Sequence, residues 1–332
     1  MHGLYRTILY DRLPPGRRLE PHRRIAESEE AAWDEHANEI ASELAHHFQN
    51  AQEKKKAIHY LTVAGEQAIR RAAHADAIGS LAAAIDLLSS LADEPDRVSK
   101  ELYLQIILGG AFTAIKGFAS PEVKRAYARA HALSKGLSEP LQLAAPYGLW
   151  VHYFTSGEIG IARELAENEC FRLAETLQDP AIMLQAHLML GGTLYHVVDF
   201  ATARVHLDQS LALYDARIHR NHAFIYGQDP GTIGSLYAGL VLWCLGFPDQ
   251  ALKKLNEALS FANELQYPLT SAFANGFAAR LHQARGEVEA SRARAEAAIR
   301  PCFRAWFPAP LRDGKYLSGL VPSRAGISRS GH

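Results

Sequence analysis

Cysteine is scarce in this 332-residue chain: Cys170, Cys244 and Cys302 lie far apart and form no Cys-x-x-Cys. That spacing excludes a zinc ribbon and offers no even disulfide framework, which fits a reducing compartment. A charge excess is missing too. Thirty-five Lys and Arg face 36 Asp and Glu, so no overall field draws the chain to nucleic acid or an anionic membrane. Long apolar runs are also absent. LYLQIILGGAFTAI and YAGLVLWCLGF fall short of the roughly 20 residues a membrane span needs. Arg6 and Asp11 interrupt the N-terminal stretch where a signal-peptide core would stand. The expectation is a cytoplasmic protein with neither nucleic acid nor membrane as partner.

The motifs of common chemistry are missing as well. No G-x-x-x-x-G-K-[ST] occurs; Gly314-Lys315 is followed by Tyr316 and preceded by no glycine-rich run, so there is no phosphate cradle. No G-x-S-x-G, no S-x-x-K, no cyclase metal-aspartate motif and no cysteine with an adjacent histidine base stands out. Sixteen histidines invite a metal reading. Glu43-x-x-His46, with Glu39 one turn earlier, is half of a di-iron motif whose second half, needed on a facing helix, does not occur. His187, His196 and His206 fall on or beside one helix pair at spacings that suit no HExxH-type site. Cys170 and Cys244 sit in apolar helical stretches and read as small core residues. The chain is therefore read as non-enzymatic, with no catalytic residue, cofactor or metal.

What is present is helical period. In DFATARVHLDQSLALYD, Phe200, Ala203, Leu207, Leu211 and Tyr214 recur at steps of three and four, which lines one helical face. FPDQALKKLNEALSFANEL repeats the pattern, and no stretch alternates strictly as a half-buried strand would. The fold class is all-α. These helices come in similar pairs: a first helix with a compact residue in its middle, a turn, then a second helix with Ala, a larger apolar residue, and Ala or Ser. Leu190-Gly191 with Ala203, Leu207 and Ser210 is one pair. Gly239, the turn Gly246, and Ala251, Leu255, Ala258 form another. Tyr153, the turn Gly157, and Ala162, Ala166, Cys170 form a third. Ala57, Leu61 and Ala64 mark a second helix near the N-terminus, and GEVEASRARAEAAI is the weakest copy. Small residues let two helix backbones approach closely, and no such pair buries its apolar face alone, so pairs must stack.

Proline punctuates the array at Pro140, Pro180, Pro230 and Pro268. Proline in the first helical turn gives up an N–H that is unpaired there anyway, and a preceding Asp caps the helix; Ser120-Pro121 is the same device. HRNHAFIYGQDPG is thus read as a repeat corner, with Gly227 ending one helix and Asp229-Pro230-Gly231 starting the next. A ligand-contact loop is the other reading, because His219, His222, Tyr226 and Gln228 exceed what a corner needs.

These paired helices resemble tetratricopeptide (TPR) repeats, at a looser spacing than the standard unit. A narrower resemblance runs through LYRTILYDRLPPGRRLEPHRRIAE, LAHHF, AIHYLTVAGEQAIRRAAHADAIGSLAAAIDLL, IKGFASPEVKRAYARA and HRNHAFIYGQDPG. In that order they are similar to the C-terminal helical region of bacterial signalling ATPases of the AAA/STAND type, often linked to class III adenylate or guanylate cyclases. The resemblance implies a sensor or scaffolding arm without its ATPase and cyclase domains. Residues 1–30 would be a helical linker from the ATPase-adjacent module, residues 31–300 the TPR-like array, and residues 301–332 an irregular tail of scattered Pro, Gly, Ser and Arg. The chain would be a fragment or truncated homologue, its partner a protein or peptide or an ATPase or cyclase module.

In such an array the first helix of each pair lines the concave side. The face opposite the packing residues carries Tyr147, Val151 and Phe154; Gln185, Leu188, Tyr195 and His196; Leu236, Leu240 and Trp243; Phe273, Arg280 and Gln283. Steps of three and four place each set on one face. Aromatic and long polar side chains there suit a peptide or a partner helix. The competing reading makes most of them core between neighbouring repeats.

Overall fold

The computed structural model describes residues 15–91, 96–135, 143–219, 228–265 and 268–306, and every regular element among them is a helix. The chain divides into two units, Met1–Gln178 and Asp179–His332. In the first, α1 (Pro15–Trp33) leads through a 3-10 stretch (Asp34–Ile40) to α2 (Ala41–Asn50), α3 (Lys54–Arg70) and α4 (His74–Ser89). Next come α5 (Arg97–Lys116), α6 (Pro121–Ser134), α7 (Ala144–Thr155) and a long helix made of α8 (Ile159–Glu164), a π segment (Leu165–Phe171) and α9 (Arg172–Leu177). The second unit holds α10 (Pro180–His196), α11 (Phe200–Leu213), the short α12 (Ala216–His219) and α13 (Pro230–Cys244). It continues with α14 (Pro248–Leu265), α15 (Pro268–Ala284) and α16 (Val288–Trp306). No helix of the described residues is long and apolar enough to cross a membrane.

Packing follows the hairpin rule. α3 lies on α4, α5 on α6, α10 on α11, α13 on α14 and α15 on α16. Each second helix then meets the next first helix: α4 on α5, α6 on α7, α11 on α13 and α14 on α15. The sequence device behind this recurs at fixed offsets. Gly65 is followed by Ala77, Leu81 and Ala84; Gly191 by Ala203, Leu207 and Ser210; Gly239 by Ala251, Leu255 and Ala258. All nine followers are buried. A Cβ on Gly65 or Gly191 would lie 2.8 or 2.5 Å from the Leu81 or Leu207 side chain, so the leucine occupies the room the glycine leaves. Fully burying one such leucine contributes about 2–3 kcal/mol, and only a residue without a side chain opposite lets it seat. Ser210 Oγ donates to the Leu184 carbonyl at 3.0 Å, tying α11 to α10 in the same contact.

Ala57, Leu61 and Ala64 are buried on α3, which packs on α2 as a second helix, and α3 in turn packs on α4, where its Gly65 seats Leu81. Three expectations need correction. The C-terminal helix runs past the boundary drawn at residue 300, to Trp306. Residues 307–332 of the expected tail lie outside the described residues. Cys170 is buried as expected, whereas Cys244 is exposed, being the last residue of α13 at a hairpin turn. At the other end, α1 runs through the boundary drawn at residue 30, and its Ala26 is buried in one core with Leu44, Phe48 and Leu61.

The π segment has a sequence cause. Ala162, Ala166, Cys170 and Ala174 step strictly by four and are all fully buried. In a regular α-helix that step drifts about 40° per turn round the cylinder. Winding with i→i+5 bonds over Leu165–Phe171 widens the turn and returns Cys170 and Ala174 to the buried face.

Hairpin turns share one geometry. Gly157, Gly246 and Gly286 have φ of +80°, +84° and +74°. The following N–H reaches back to a helix carbonyl: Glu158 to Tyr153, Phe247 to Leu242 and Glu287 to His282, each at 2.9 Å. The α10–α11 turn makes the same bond, Asp199 to Leu194 at 3.0 Å, but its left-handed residue is Val198, with φ +68° and 69% exposed. A β-branched residue in that region is strained by about 1–2 kcal/mol. Val198→Gly is therefore expected to stabilise residues 179–306 by about 1 kcal/mol, read as a raised midpoint in urea unfolding. An unchanged or lowered midpoint would contradict the strain.

Candidate functional site

Aspartate-proline pairs set the first helices of the second unit. Asp179 Oδ1 accepts from the N–H groups of Ala181 (2.7 Å) and Ile182 (3.2 Å), and Asp229 Oδ2 accepts from Thr232 N–H at 2.8 Å. Asp229 does more than cap. Its Oδ2 also accepts from the Thr232 hydroxyl (2.7 Å) and its Oδ1 from Tyr214 Oη–H (2.9 Å), in a site where the residue is 1% exposed. The start of α13 is thereby pinned to the end of α11.

With these helices placed, an aromatic cluster forms where the end of α10 meets the middle of α13 and α15 passes. Tyr195 and His196 are the last residues of α10; Tyr237 lies on α13, Phe277 and Arg280 on α15. Ring centroids stand 5.8 Å apart for Tyr195–Tyr237, 6.1 Å for His196–Tyr237 and 5.2 Å for Tyr237–Phe277. Phe200, the first residue of α11, adds its ring 5.8 Å from Tyr195. Gly192 allows the arrangement: the Tyr237 ring lies 3.6 Å from where a Cβ would be. Tyr237 is buried as the floor; Tyr195 and Phe277 are half-buried; His196 and Arg280 reach solvent.

Arg280 joins the parts. Its guanidinium sits 5.7 Å from the Phe277 ring centroid, and Nη2 donates to Tyr195 Oη at 3.5 Å. Burial, then the Arg280 cation, holds the His196 imidazole below its ordinary pKa, so it is neutral at pH 7. Burial raises the Tyr237 hydroxyl and the Cys244 thiol, and in both Arg280 works the other way. No carboxylate among the described residues pairs with Arg280. Arg204, Arg217, Arg285 and Arg292 of this unit, in contrast, pair with Asp208, Asp215, Glu287 and Glu296.

The residues expected to line a groove thus separate. Tyr195, His196 and Arg280 come together. Gln185, Leu188, Leu236 and Leu240 are buried, and so correct the groove reading: they are core, because α10 and α13 are covered on more than one side by their neighbours. Trp243 and Phe273 are half-buried and Gln283 is exposed. In the first unit, Tyr147 and Val151 are likewise core, while Phe154 is half-buried and leans on Trp150 at 4.9 Å. Tyr237 and Phe277 were missed. Their signal is positional: each stands two residues before the compact residue of its hairpin, Gly239 and Ala279, the latter receiving the Ser291 hydroxyl on its carbonyl at 2.9 Å.

The corner divides too. His219, expected on a surface loop, is buried at the end of α12, its Nδ1 accepting the Asp215 N–H at 2.9 Å. Gln228 is half-buried, and His222, Tyr226 and Gly227 lie outside the described residues. Among the described residues no three His, Cys, Asp or Glu side chains group so as to hold a metal ion. Histidines do pair: His22 with His47 and His187 with His206, Nδ1 to Nδ1 at 2.8 Å each, so within each pair one ring donates and the other accepts. Burial first, then His206, takes His187 from 6.5 to about 4.

No protein-family model and no curated protein matches the sequence. Solved structures do. The apo form of RapI superposes with a TM-score of 0.55 at 13% identity over 75% of this chain and 98% of that one. The Rap conjugation gene regulator of the plasmid pLS20, in complex with a Phr peptide, gives 0.56 at 10% identity over 88% and 95%. At these identities the likeness shows the fold, a TPR-like array of helix hairpins.

Proposed function

We propose that this chain is a non-catalytic regulatory module that binds a peptide on the first-helix face of residues 179–306. One observation carries the reading: three successive first helices converge Tyr195, Tyr237 and Phe277 beneath a solvent-facing Arg280 that has no acidic partner among the described residues. Half-buried aromatics beside an arginine are the residue types that dominate binding energy at protein surfaces. The fold likeness to Rap regulators, one of them solved with a peptide, supports peptide as the partner class. Trp243, Phe273 and Gln283 would extend the contact along α13 and α15. The sequence resemblance to the helical arm of signalling ATPases supports an output: a seated ligand favours one packing of the hairpins and so biases an attached or separate ATPase or cyclase module.

A pooled library of synthetic hexapeptides, passed over the immobilised chain and read by mass spectrometry, tests the binding. The wild type is expected to retain a defined subset. Tyr195→Ala combined with Phe277→Ala, both at half-buried positions, should cut that retention about tenfold or more with the helical circular dichroism intact. Retention that the double variant leaves unchanged, or none by the wild type, would sink the reading.

A further inference from the structure

The site also indicates which end of a peptide it holds. We infer that Arg280 is the anchor for a C-terminal carboxylate, with the last side chain of the bound peptide lying against Tyr195 and Phe277 over the Tyr237 floor. This rests on the peptide-binding reading above and goes beyond it by assigning the ligand's charged group and its direction.

Charge is the first argument. Four of the five other described arginines of the same unit reach a carboxylate and the fifth, Arg294, donates to the Asn275 amide oxygen, whereas the Arg280 guanidinium makes one long bond to a phenol and a ring contact. A guanidinium carries five N–H donors in a planar fork that matches a carboxylate edge to edge. The ring contact and the long Tyr195 bond favour the side-chain orientation that sets the fork beside the aromatic rings. The groups round it make no competing anion: the hydroxyl of Tyr237 and the thiol of Cys244 are both held protonated by burial, and His196 is neutral. A ligand carboxylate would be the first negative charge in the cluster.

Size is the second. The Arg280 guanidinium lies 5.7 Å from the Phe277 ring centroid, and Tyr237 stands 5.8 Å from Tyr195 and 5.2 Å from Phe277. Cation and aromatic ledge are therefore one residue's reach apart. A terminal residue bears its carboxylate and its side chain on the same Cα and fills both together. An internal Asp or Glu spends its own side chain on the cation and must satisfy the ledge with a neighbour farther along the chain.

Three hexapeptide pools of uncharged residues separate the possibilities: one with free C-terminal carboxylates, one with C-terminal carboxamides, and one of carboxamides carrying a single internal Asp or Glu. The wild type is expected to retain the free-acid pool about tenfold over the carboxamide pool, the size of a charge-assisted pair, and to show no such gain for internal acids. Arg280→Gln, an exposed substitution, should bring free-acid retention down to that of the carboxamides. Equal retention of free acids and carboxamides by the wild type would overturn the anchor while leaving peptide binding standing. So would a preference that survives Arg280→Gln, or an internal-acid pool that matches the free acids. Retention of no pool would overturn both.

Discussion

Asp229→Ala is expected to destabilise residues 179–306 by about 3 kcal/mol, and Asp179→Ala by about 1 kcal/mol. Both residues precede a proline and cap a first helix, so sequence alone makes them equals. Their surroundings do not. Asp179 is exposed, and water replaces its oxygens when they are removed. Asp229 accepts from Thr232 N–H, the Thr232 hydroxyl and the Tyr214 hydroxyl in a site closed to solvent. Alanine there strands three donors and frees the end of α11 from the start of α13. Urea unfolding of each variant, followed by circular dichroism, reads the difference. Equal losses would show that the buried network contributes nothing beyond a cap.

Glycine substitutions in the first unit are expected to split in sign. Gly110 faces open space on α5, and Gly110→Ala should stabilise the unit by about 0.5–1 kcal/mol through reduced backbone freedom in the unfolded chain. Gly148 on α7 faces the Tyr127 ring, whose atoms already fill the position of a Cβ. The ring has no retreat: on its other side it lies 2.8 Å from where a Gly109 Cβ would be. Tyr127 is thus wedged between glycines of two successive first helices. Gly148→Ala should cost about 2–3 kcal/mol despite its better helix propensity. Tyr127→Leu should recover part of that loss in the double variant, because the shorter side chain vacates the contested volume. A neutral Gly148→Ala would mean that α6 and α7 slide apart freely, which would contradict close hairpin stacking.

Local signals in the sequence carried the architecture. Gly191 with Ala203, Leu207 and Ser210, and Gly239 with Ala251, Leu255 and Ala258, are legible because the contact between two helices of a hairpin depends on a fixed offset along the chain. Asp179 and Asp229 are legible as caps for the same reason. The step of four through Ala162, Ala166 and Cys170 reads in the sequence as plain helix, whereas the structure winds Leu165–Phe171 as π. The site was only half legible. Tyr195, His196 and Arg280 could be placed on first helices, but one helix viewed alone cannot tell Leu236, which is core, from Tyr237, which floors the cluster. That distinction depends on α10 and α15 packing on α13 together. The His219 ring is buried where it accepts the Asp215 N–H and lies 6.0 Å from the Tyr214 ring, contacts that its polar neighbours in the sequence do not reveal.

Hydrogen exchange, measured with and without the free-acid peptides that the wild type retains, tests the location of binding most directly. Slowed exchange is expected at the last turn of α10, at α13 around Tyr237 and at α15 around Phe277 and Arg280, with α11 and α14 unaltered on their outer faces. Protection confined to those second helices, or to residues 15–178, would contradict the assignment of the ligand to this aromatic and arginine cluster.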